Sequence, residues 1–169
     1  ADQTKALQLD ISFVGSVEAV KLLSAGQALM GGFHTVLGVN AKTNTSQLAF
    51  QPHLYPKQQC LIGFAMRSQG LMVAKGNPFQ IQSIQDLTKS NLRFVNRAQG
   101  TGTRLLLDQL LQQFKIESDQ IRGYETIEPS HAAVAQAIGG GLADVGLGIE
   151  ASARAKNLSF IPIVQEHYF

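Results

Sequence analysis

Residues 92–114 combine the signals of a strand, a glycine-rich loop and a helix. Leu92, Phe94 and Val95 form a short apolar run. After Arg104 the apolar residues recur at three- and four-residue spacing, which predicts a helix. The loop between the two reads Gly100-Thr101-Gly102-Thr103-Arg104. A strand that passes through such a loop into a helix is typical of α/β proteins, so this stretch restricts the fold of the whole chain.

The loop also has the chemistry of an anion site. A threonine at a helix start accepts a hydrogen bond from a free backbone N–H, and glycines let neighbouring N–H groups turn inward. The remaining N–H groups and the helix dipole favour a negative charge. Arg104 adds a permanent cation. An ordinary capped helix with Arg104 on a solvated face explains the same residues, and the loop is neither a Walker A motif nor a dinucleotide fingerprint. The predicted ligand contacts of this loop are Gly100, Thr101, Gly102, Thr103 and Arg104.

A second strand–loop–helix unit precedes this one. Residues 7–13 alternate apolar and polar side chains, which predicts a strand, and the spacing after Gly15 and Ser16 predicts a helix. Residues 28–33 predict the next strand, which gives a β-α-β unit with parallel strands. Ser16 either caps the helix or contacts a ligand. Gly15 and Thr35 lie at the same predicted cleft.

The rest of the chain continues the alternation of strands and helices. Strands are predicted over 60–66, 71–74, 92–95, 123–127, 143–149 and 160–164, and helices over 84–87, 103–115, 132–138 and 151–156. This alternation predicts an α/β fold with mostly parallel strands and ligand-facing turns at their carboxyl ends. Residues 38–58 are predicted to form a loop with one helical turn near 45–50. Ser130 is predicted to cap a helix, and His131 in its first turn either faces the cleft or lies on the surface.

Composition excludes several classes of protein. Hydrophobic residues make up 44% of the chain and charged residues 15%, which is typical of a globular domain. The net charge is only +2 and the basic residues are scattered, which argues against nucleic-acid binding by this segment. No run approaches the ~20 apolar residues that a membrane span needs. Cys60 is the single cysteine and lies in an apolar run, so we predict that it is buried.

No motif predicts catalysis or a bound metal. The chain has no Gly-x-Ser-x-Gly sequence, and its carboxylates are few and isolated. The four histidines show no HxxxH spacing, which makes a structural metal site unexpected, and His34 is predicted to be a surface or core histidine. We therefore expect no enzyme activity, no metal and no cofactor.

The ends of the sequence favour a piece of a longer polypeptide. The chain begins at Ala1 and has no recognisable signal peptide. Residues 161–169 are apolar and strand-like, whereas a natural end is more often polar. We expect the chain to be a fragment.

A set of motifs resembles one family over nearly the whole chain, from about Asp10 to Tyr168. In order, the motifs are Arg67-x-Gln69-Gly70-Leu71, Lys75-Gly76-Asn77-Pro78, Arg93-Phe94-Val95-Asn96-Arg97, Gly100-Thr101-Gly102-Thr103-Arg104-x-Leu106-Leu107-Asp108, Gly123-Tyr124-Glu125, His131-x-Ala133-Val134-Ala135, Ala143-Asp144-Val145-Gly146-Leu147-Gly148-Ile149 and Phe160-Ile161-Pro162. The set resembles the periplasmic-binding-protein-like domain, which is related to molybdate-binding proteins and LysR effector domains. That domain is found fused to helix-turn-helix regulators and to MoeA-type molybdopterin-biosynthesis proteins.

The resemblance implies a two-lobed type 2 periplasmic-binding-protein fold with two crossing segments. Residues 1–68 would form part of lobe I, residues 69–164 lobe II, and residues 165–169 the start of a return segment to lobe I. Family members usually carry another strand–helix unit before the equivalent of Ala1, so the first lobe is expected to be incomplete. The implied ligand is a small oxyanion such as molybdate or tungstate, or a small carboxylate.

Two functions remain open for such a domain. The first is the effector-sensing part of a cytoplasmic transcription regulator or biosynthetic fusion. In that case the ligand closes the two lobes and so biases a fused DNA-binding or enzyme domain. A homodimer of the protein is a further expected assembly. The second is the solute-binding component of an ABC-type transporter in the periplasm. An upstream helix-turn-helix would favour the first, and a signal peptide the second.

Overall fold

The computed structural model describes residues 9–37, 51–55 and 57–169. The helices are α1 (Ser16–Ser24), α2 (Gly102–Phe114), α3 (His131–Gly139) and α4 (Glu150–Ala155). The strands are β1 (His34–Leu37), β2 (Ala65–Val73), β3 (Phe94–Arg97), β4 (Ile127–Glu128), β5 (Val145–Ile149) and β6 (Ser159–Tyr168). Within the described residues, no helix has both the length and the apolar character that crossing a bilayer requires.

The six strands form one mixed sheet in the order β1-β6-β2-β5-β3-β4. β3 pairs parallel with β4 and β5, as expected. The pairs β1–β6, β2–β6 and β2–β5 are antiparallel, so three of the five strand pairs depart from the prediction of mostly parallel strands. The reason is that β2 and β6 are long neighbouring strands that run in opposite directions, and each presents its outer edge to a further antiparallel strand.

Helices α2 and α3 pack on opposite faces of this sheet. Side chains alternate between faces along a strand, so Leu71 and Met72 of β2 point to opposite sides. Leu71 shares a buried cluster with Leu106, Leu107, Leu110 and Leu111 of α2. Met72 shares another with Val134, Ala135, Ala137 and Ile138 of α3. Because α2 follows β3 and α3 follows β4, both helices begin at the carboxyl edge of these parallel strands.

The predicted starts of α2 and α3 agree with the structure to within one residue, and the predicted cap Ser130 is confirmed. The Thr101 hydroxyl accepts a hydrogen bond from the Arg104 N–H at 3.3 Å, and the Ser130 hydroxyl accepts one from the Ala133 N–H at 3.0 Å. Each cap satisfies one of the N–H groups that a helix start leaves without an intrahelical acceptor.

The first predicted β-α-β unit differs from the structure. Residues 9–13 are irregular, and Phe13 is 96% exposed. The strand expected over 28–33 begins only at His34. Apolar alternation indicates a strand only where a neighbour covers one face. In the two predicted strands, 7–13 and 28–33, large apolar side chains instead remain exposed: Leu9, Ile11, Phe13, Leu29 and Met30.

The helix start of this unit also differs from the prediction. Gly15, not Ser16, occupies the N-cap position of α1, and no side chain caps the helix. The Ser16 hydroxyl instead lies 3.1 Å from a ring nitrogen of His34.

β2 is one continuous strand rather than two pieces. The polar residues 67–70, predicted to interrupt it, lie inside β2 and pair with β6. Residues 60–64 are irregular, and Cys60 is exposed rather than buried. Of the predicted 38–58 loop, residues 38–50 lie outside the described ranges, and Gln51–His53 form a short 3₁₀ turn.

Several strand boundaries also shift. The strand predicted over 123–127 is reduced to Ile127–Glu128. Gly123 has φ +93°, and a Cβ there would collide with the Phe94 carbonyl oxygen, so this residue belongs to a tight turn. The last strand, β6, continues to Tyr168 because it pairs with both β1 and β2.

Candidate functional site

The candidate site lies at the carboxyl edge of β3 and β4, where α2 and α3 begin. β3 ends at Arg97 and α2 starts at Gly102. β4 ends at Glu128 and α3 starts at His131. In open α/β sheets, ligands bind in the crevice outside this edge. The two helix starts therefore direct their positive dipole ends to one end of the sheet.

The loop before α2 is shaped by its glycine and its capping threonine. Gly100 has φ +80°, a left-handed conformation that glycine adopts without strain. The Thr101 hydroxyl donates to the Ala98 carbonyl at 2.8 Å and caps the Arg104 N–H. Gly102 and Thr103 supply the other N–H groups of this first turn, for which the helix itself has no acceptor.

A buried hydrogen-bonded path leads from α2 across the middle of the sheet. The Thr103 hydroxyl donates to Gln69 Oε1 at 2.9 Å, and Gln69 Nε2 donates to Glu166 Oε1 at 2.7 Å. Thr103, Gln69 and Glu166 are all at least 95% buried. Buried polar side chains need such partners, so the path connects α2, β2 and β6 through satisfied groups.

Glu166 is the centre of this network. Arg67 lies directly opposite it in the β2–β6 register and donates from Nε and Nη2 to Oε2 at 2.7 and 2.6 Å. The Tyr168 hydroxyl donates to the same oxygen at 3.3 Å, and the Arg67 guanidinium lies 5.0 Å from the Tyr168 ring centroid. Burial, followed by the Glu166 charge, raises the pKa of Tyr168. Arg67 thus neutralises the buried carboxylate.

The network continues to the start of α1. His34 Nε2 lies 3.9 Å from Glu166 Oε1, an ion pair whenever His34 is protonated. The His34 ring stacks on Tyr168 with 5.1 Å between centroids. Ser16 Oγ lies 3.1 Å from His34 Nδ1. The helix-start residues Ser16 and Thr103 therefore stand at two ends of one polar path.

His131 and Arg97 flank the path at the same edge. His131 Nδ1 and Arg97 Nε are buried, and neither atom has a hydrogen-bond partner among the described residues. Burial, followed by the positive charges of Arg97 and Arg67, lowers the pKa of His131 to about 4, and the Glu166 charge opposes the shift. His131 is therefore neutral at pH 7.

Arg104 has contacts of its own within the second half of the chain. It is 3% exposed; its Nε donates to Asp108 Oδ1 at 3.1 Å, and its guanidinium lies 4.1 Å from the Tyr124 ring centroid. The Tyr124 hydroxyl donates to the same Asp108 oxygen at 2.5 Å. Its Nη1 is buried without a partner among the described residues. The role of Arg104 in ligand binding stays a prediction.

The remaining predicted contacts lie around this network. Gly15 precedes α1 as its N-cap, and Gly102 is the first residue of α2. Thr35 is buried and lies opposite His167 in the β1–β6 register. Its side chain points away from that of His34, because neighbours in a strand face opposite sides. Thr35 is thus the predicted residue with least connection to the network.

Sequence reasoning missed the centre of the site. Arg67, Gln69, Glu166 and Tyr168 were not among the predicted contacts, and neither was Arg97. The available signal was a pair of polar residues, Arg67 and Gln69, two positions apart before an apolar run, since this spacing puts both on one face of a strand. Their partner, Glu166, lies 99 residues from Arg67, a distance that no local pattern spans.

The described residues contain no group of three or more His, Cys, Asp or Glu side chains arranged to hold a metal ion. The side chains of the candidate site instead supply arginine and histidine nitrogens, hydroxyls and one neutralised carboxylate.

A relative of this chain is the uncharacterized protein YvgK of Bacillus subtilis (strain 168). The two are 38% identical over 109 residues, which make up 64% of this chain and 35% of YvgK. The chain therefore corresponds to about a third of the length of that relative.

Two solved structures share the fold. The CcmR regulatory domain of Synechocystis PCC6803, solved in complex with 2-PG, has 15% sequence identity and a TM-score of 0.56, covering 98% of this chain and 74% of that one. A substrate-binding domain assigned to a molybdenum ABC transporter of Clostridium difficile has 11% identity and a TM-score of 0.54, covering 91% and 69%. At these identities the similarity concerns the fold alone.

The sequence profile of the PBP superfamily domain matches residues 1–169. This match covers the whole chain, and it agrees with the fold shared with the two solved domains. The chain belongs to the PBP superfamily.

Proposed function

We propose that this domain binds a small oxyanion, of the molybdate or tungstate type or a small carboxylate, in the crevice at the carboxyl edge of the sheet. One observation carries the proposal. Ser16 and Thr103, which begin helices α1 and α2, lie at two ends of a single polar path through His34, Glu166 and Gln69. A ligand that engages both helix starts would be held by dipoles from both halves of the chain.

The charges around the crevice support an anionic ligand. Arg67 and Glu166 offset each other through two short hydrogen bonds, and His131 is neutral at pH 7. Arg97 adds a positive charge with no ion pair among the described residues. The sum of these groups is positive, and the helix starts add to it.

We further propose that ligand binding signals to a fused partner inside the cell. The long neighbouring strands β2 and β6 would act as the hinge, and closure of the two lobes would bias a DNA-binding or enzyme domain. The fold shared with the CcmR regulatory domain supports this reading. The greater length of YvgK leaves room for such a partner.

A transporter role is the second candidate. The fold shared with the Clostridium difficile domain assigned to a molybdenum ABC transporter supports it. In that case the protein would work outside the inner membrane and deliver its ligand to a permease. The full-length polypeptide separates the two: ligand-dependent DNA binding favours the regulator, and an export signal favours the transporter.

Thermal-shift titration tests the ligand proposal. The panel is molybdate, tungstate, sulfate, phosphate, malonate and glycolate, each at constant ionic strength, with chloride as the control anion. A ligand at 100 times its Kd stabilises a protein by about 2.7 kcal/mol, so we expect a saturable rise in Tm with at least one of the six. The full-length protein showing no rise with any of them would refute the oxyanion proposal.

A further inference from the structure

We propose that Arg97 supplies the positive charge that contacts the ligand, and that His131 is its neutral hydrogen-bonding neighbour. This inference rests on the proposed function and names the pair of side chains that would bind the anionic group. The ligand class it specifies is a compound with a carboxylate, phosphoryl or tetrahedral oxyanion group, since a guanidinium fork matches two oxygens of such groups.

A comparison of the six arginines singles out Arg97. Four of them form ion pairs with carboxylates: Arg67 with Glu166, Arg93 with Asp144, Arg104 with Asp108 and Arg154 with Glu150. Arg122 is exposed to solvent. Within the described part of the chain, the Arg97 guanidinium has no ion pair, and its buried Nε has no hydrogen-bond acceptor. Leaving a buried N–H unpaired is unfavourable. We therefore infer that an acceptor outside this chain accepts a hydrogen bond from Arg97 Nε.

The fold brings Arg97 and His131 to the same place. Arg97 is the last residue of β3 and shares a face of the sheet with Val95, two positions earlier. Val95 packs with Val134 of α3. His131 begins α3 one turn before Val134, on the same side of the helix. The two side chains therefore lie on the same side of the sheet, where β3 ends and α3 starts.

Gly148 of β5 lies next to the imidazole of His131. A Cβ on Gly148 would lie 3.4 Å from His131 Nδ1, so the ring sits directly over β5. His131 Nδ1 is itself buried without a partner among the described residues. Two buried, unpaired nitrogens thus lie on neighbouring elements at the edge where α/β proteins bind ligands.

The electrostatic coupling of these groups agrees with the geometry. The charged groups that act on His131 are Arg97, Arg67 and Glu166. Arg67 and Glu166 neutralise each other, which leaves the charge of Arg97. A neutral imidazole can donate or accept one hydrogen bond without adding charge. One negatively charged group on the ligand would therefore neutralise the remaining positive charge of Arg97.

Arg104, the arginine favoured by the sequence, differs in this respect. Its Nη1 is also buried and unpaired among the described residues, but Asp108 balances its charge and the Tyr124 ring covers its guanidinium. Arg104 instead holds the first turns of α2 in place through these two contacts.

The experiment compares Arg97→Gln with Arg122→Gln, which removes the same charge from an exposed position. Binding is measured by calorimetry with the anion from the panel that gives the largest thermal shift to the wild-type protein. We expect Arg97→Gln to raise Kd by about 10- to 100-fold, the effect of a lost charged hydrogen bond, and Arg122→Gln to change it by less than about twofold. An Arg97→Lys variant, which keeps the charge without the fork, is expected to bind with intermediate affinity.

The ligand-free protein offers a second readout. Since the Arg97 charge lowers the pKa of His131, NMR titration of the imidazole should show a higher pKa in Arg97→Gln and an unchanged one in Arg122→Gln. Wild-type affinity in both Arg97 variants would overturn this inference and leave the proposed function intact. A wild-type protein that binds no anion in the panel would overturn both.

Discussion

His131 is the residue of the crevice whose protonation is most clearly linked to folding. Burial holds its pKa at about 4, against 6.5 for an ordinary histidine. Between these two values the unfolded chain binds the proton more readily than the folded one. Stability is therefore complete above about pH 6.5 and declines as the pH falls towards about 4.

We expect His131→Gln to lose this dependence. Between pH 7 and pH 4.5, the wild type should lose about 1–2 kcal/mol more unfolding free energy than the variant, a value reduced to allow for the partial solvation of the ring. Urea denaturation of both proteins at the two pH values measures the difference. Identical pH dependence in the two proteins would contradict the burial of a neutral imidazole here.

At the residue scale, the sequence predicts what is local. Ser130 is correctly predicted as a cap, because a capping hydroxyl and the backbone N–H that donates to it lie within three residues of each other. Ser16 was predicted as a cap by the same rule, but its hydroxyl lies beside His34 instead. Glu166 could not be paired with Arg67 in advance, since only the antiparallel register of β2 and β6 places them opposite each other.

At the scale of elements, β5 depends on its glycines. A Cβ on Gly146 would lie 2.6 Å from Val134 Cγ1 and 2.8 Å from the Val95 carbonyl oxygen. α3 thus packs so closely on β5 and β3 that no side chain fits between them. This explains Gly146 inside an otherwise apolar strand, whereas a Cβ on Gly148 would collide with the Met72 side chain.

We expect Gly146→Ala and Gly139→Ala to have opposite effects on stability. Gly146→Ala should destabilise the fold by about 1–3 kcal/mol, the usual result of overpacking. Gly139, at the end of α3, has nothing within 4 Å of an added Cβ, so Gly139→Ala should stabilise it by about 0.5–1 kcal/mol. Thermal and urea denaturation measure both variants. Equal effects would mean that α3 is not seated on β5 as described.

Elements were predicted well where helical spacing coincides with a cap, and poorly in the first half of the chain. α2 and α3 each bury a stripe of side chains against a neighbouring sheet face. In contrast, residues 9–13 show the alternation of a strand but have no pairing partner among the described residues. An alternating pattern predicts which side chains would share a face of a strand. The strand itself forms only when a second strand pairs with it.

For the whole molecule, the buried network of Glu166 links elements from both ends of the chain. It contacts side chains of β1 and β2, and through Gln69 it reaches α2. Removing one partner of a buried ion pair leaves the other without compensation. The network should therefore contribute to global stability in a way that a surface pair does not.

Two ion pairs of equal length test this difference. Arg67 Nη2–Glu166 Oε2 and Arg154 Nη2–Glu150 Oε1 are both 2.6 Å long, but Glu166 is buried whereas the second pair lies on the surface of α4. We expect Glu166→Gln to reduce the unfolding free energy by about 1–3 kcal/mol, and Glu150→Gln by about 0–0.5 kcal/mol. Chemical denaturation at pH 7 measures both. A loss in Glu166→Gln no larger than in Glu150→Gln would show that the network is not a stabilising link.

Gly70 allows the central strands β2 and β6 to approach each other closely. A Cβ at this position would collide with the Ile161 carbonyl oxygen, and the β2–β6 register shifts between Gln69 and Gly70. The close approach of the two strands at this point thus requires a residue without a Cβ. We expect even one added methyl group at residue 70 to force β2 and β6 apart. The proposed hinge between β2 and β6 therefore depends on a residue that has no side chain.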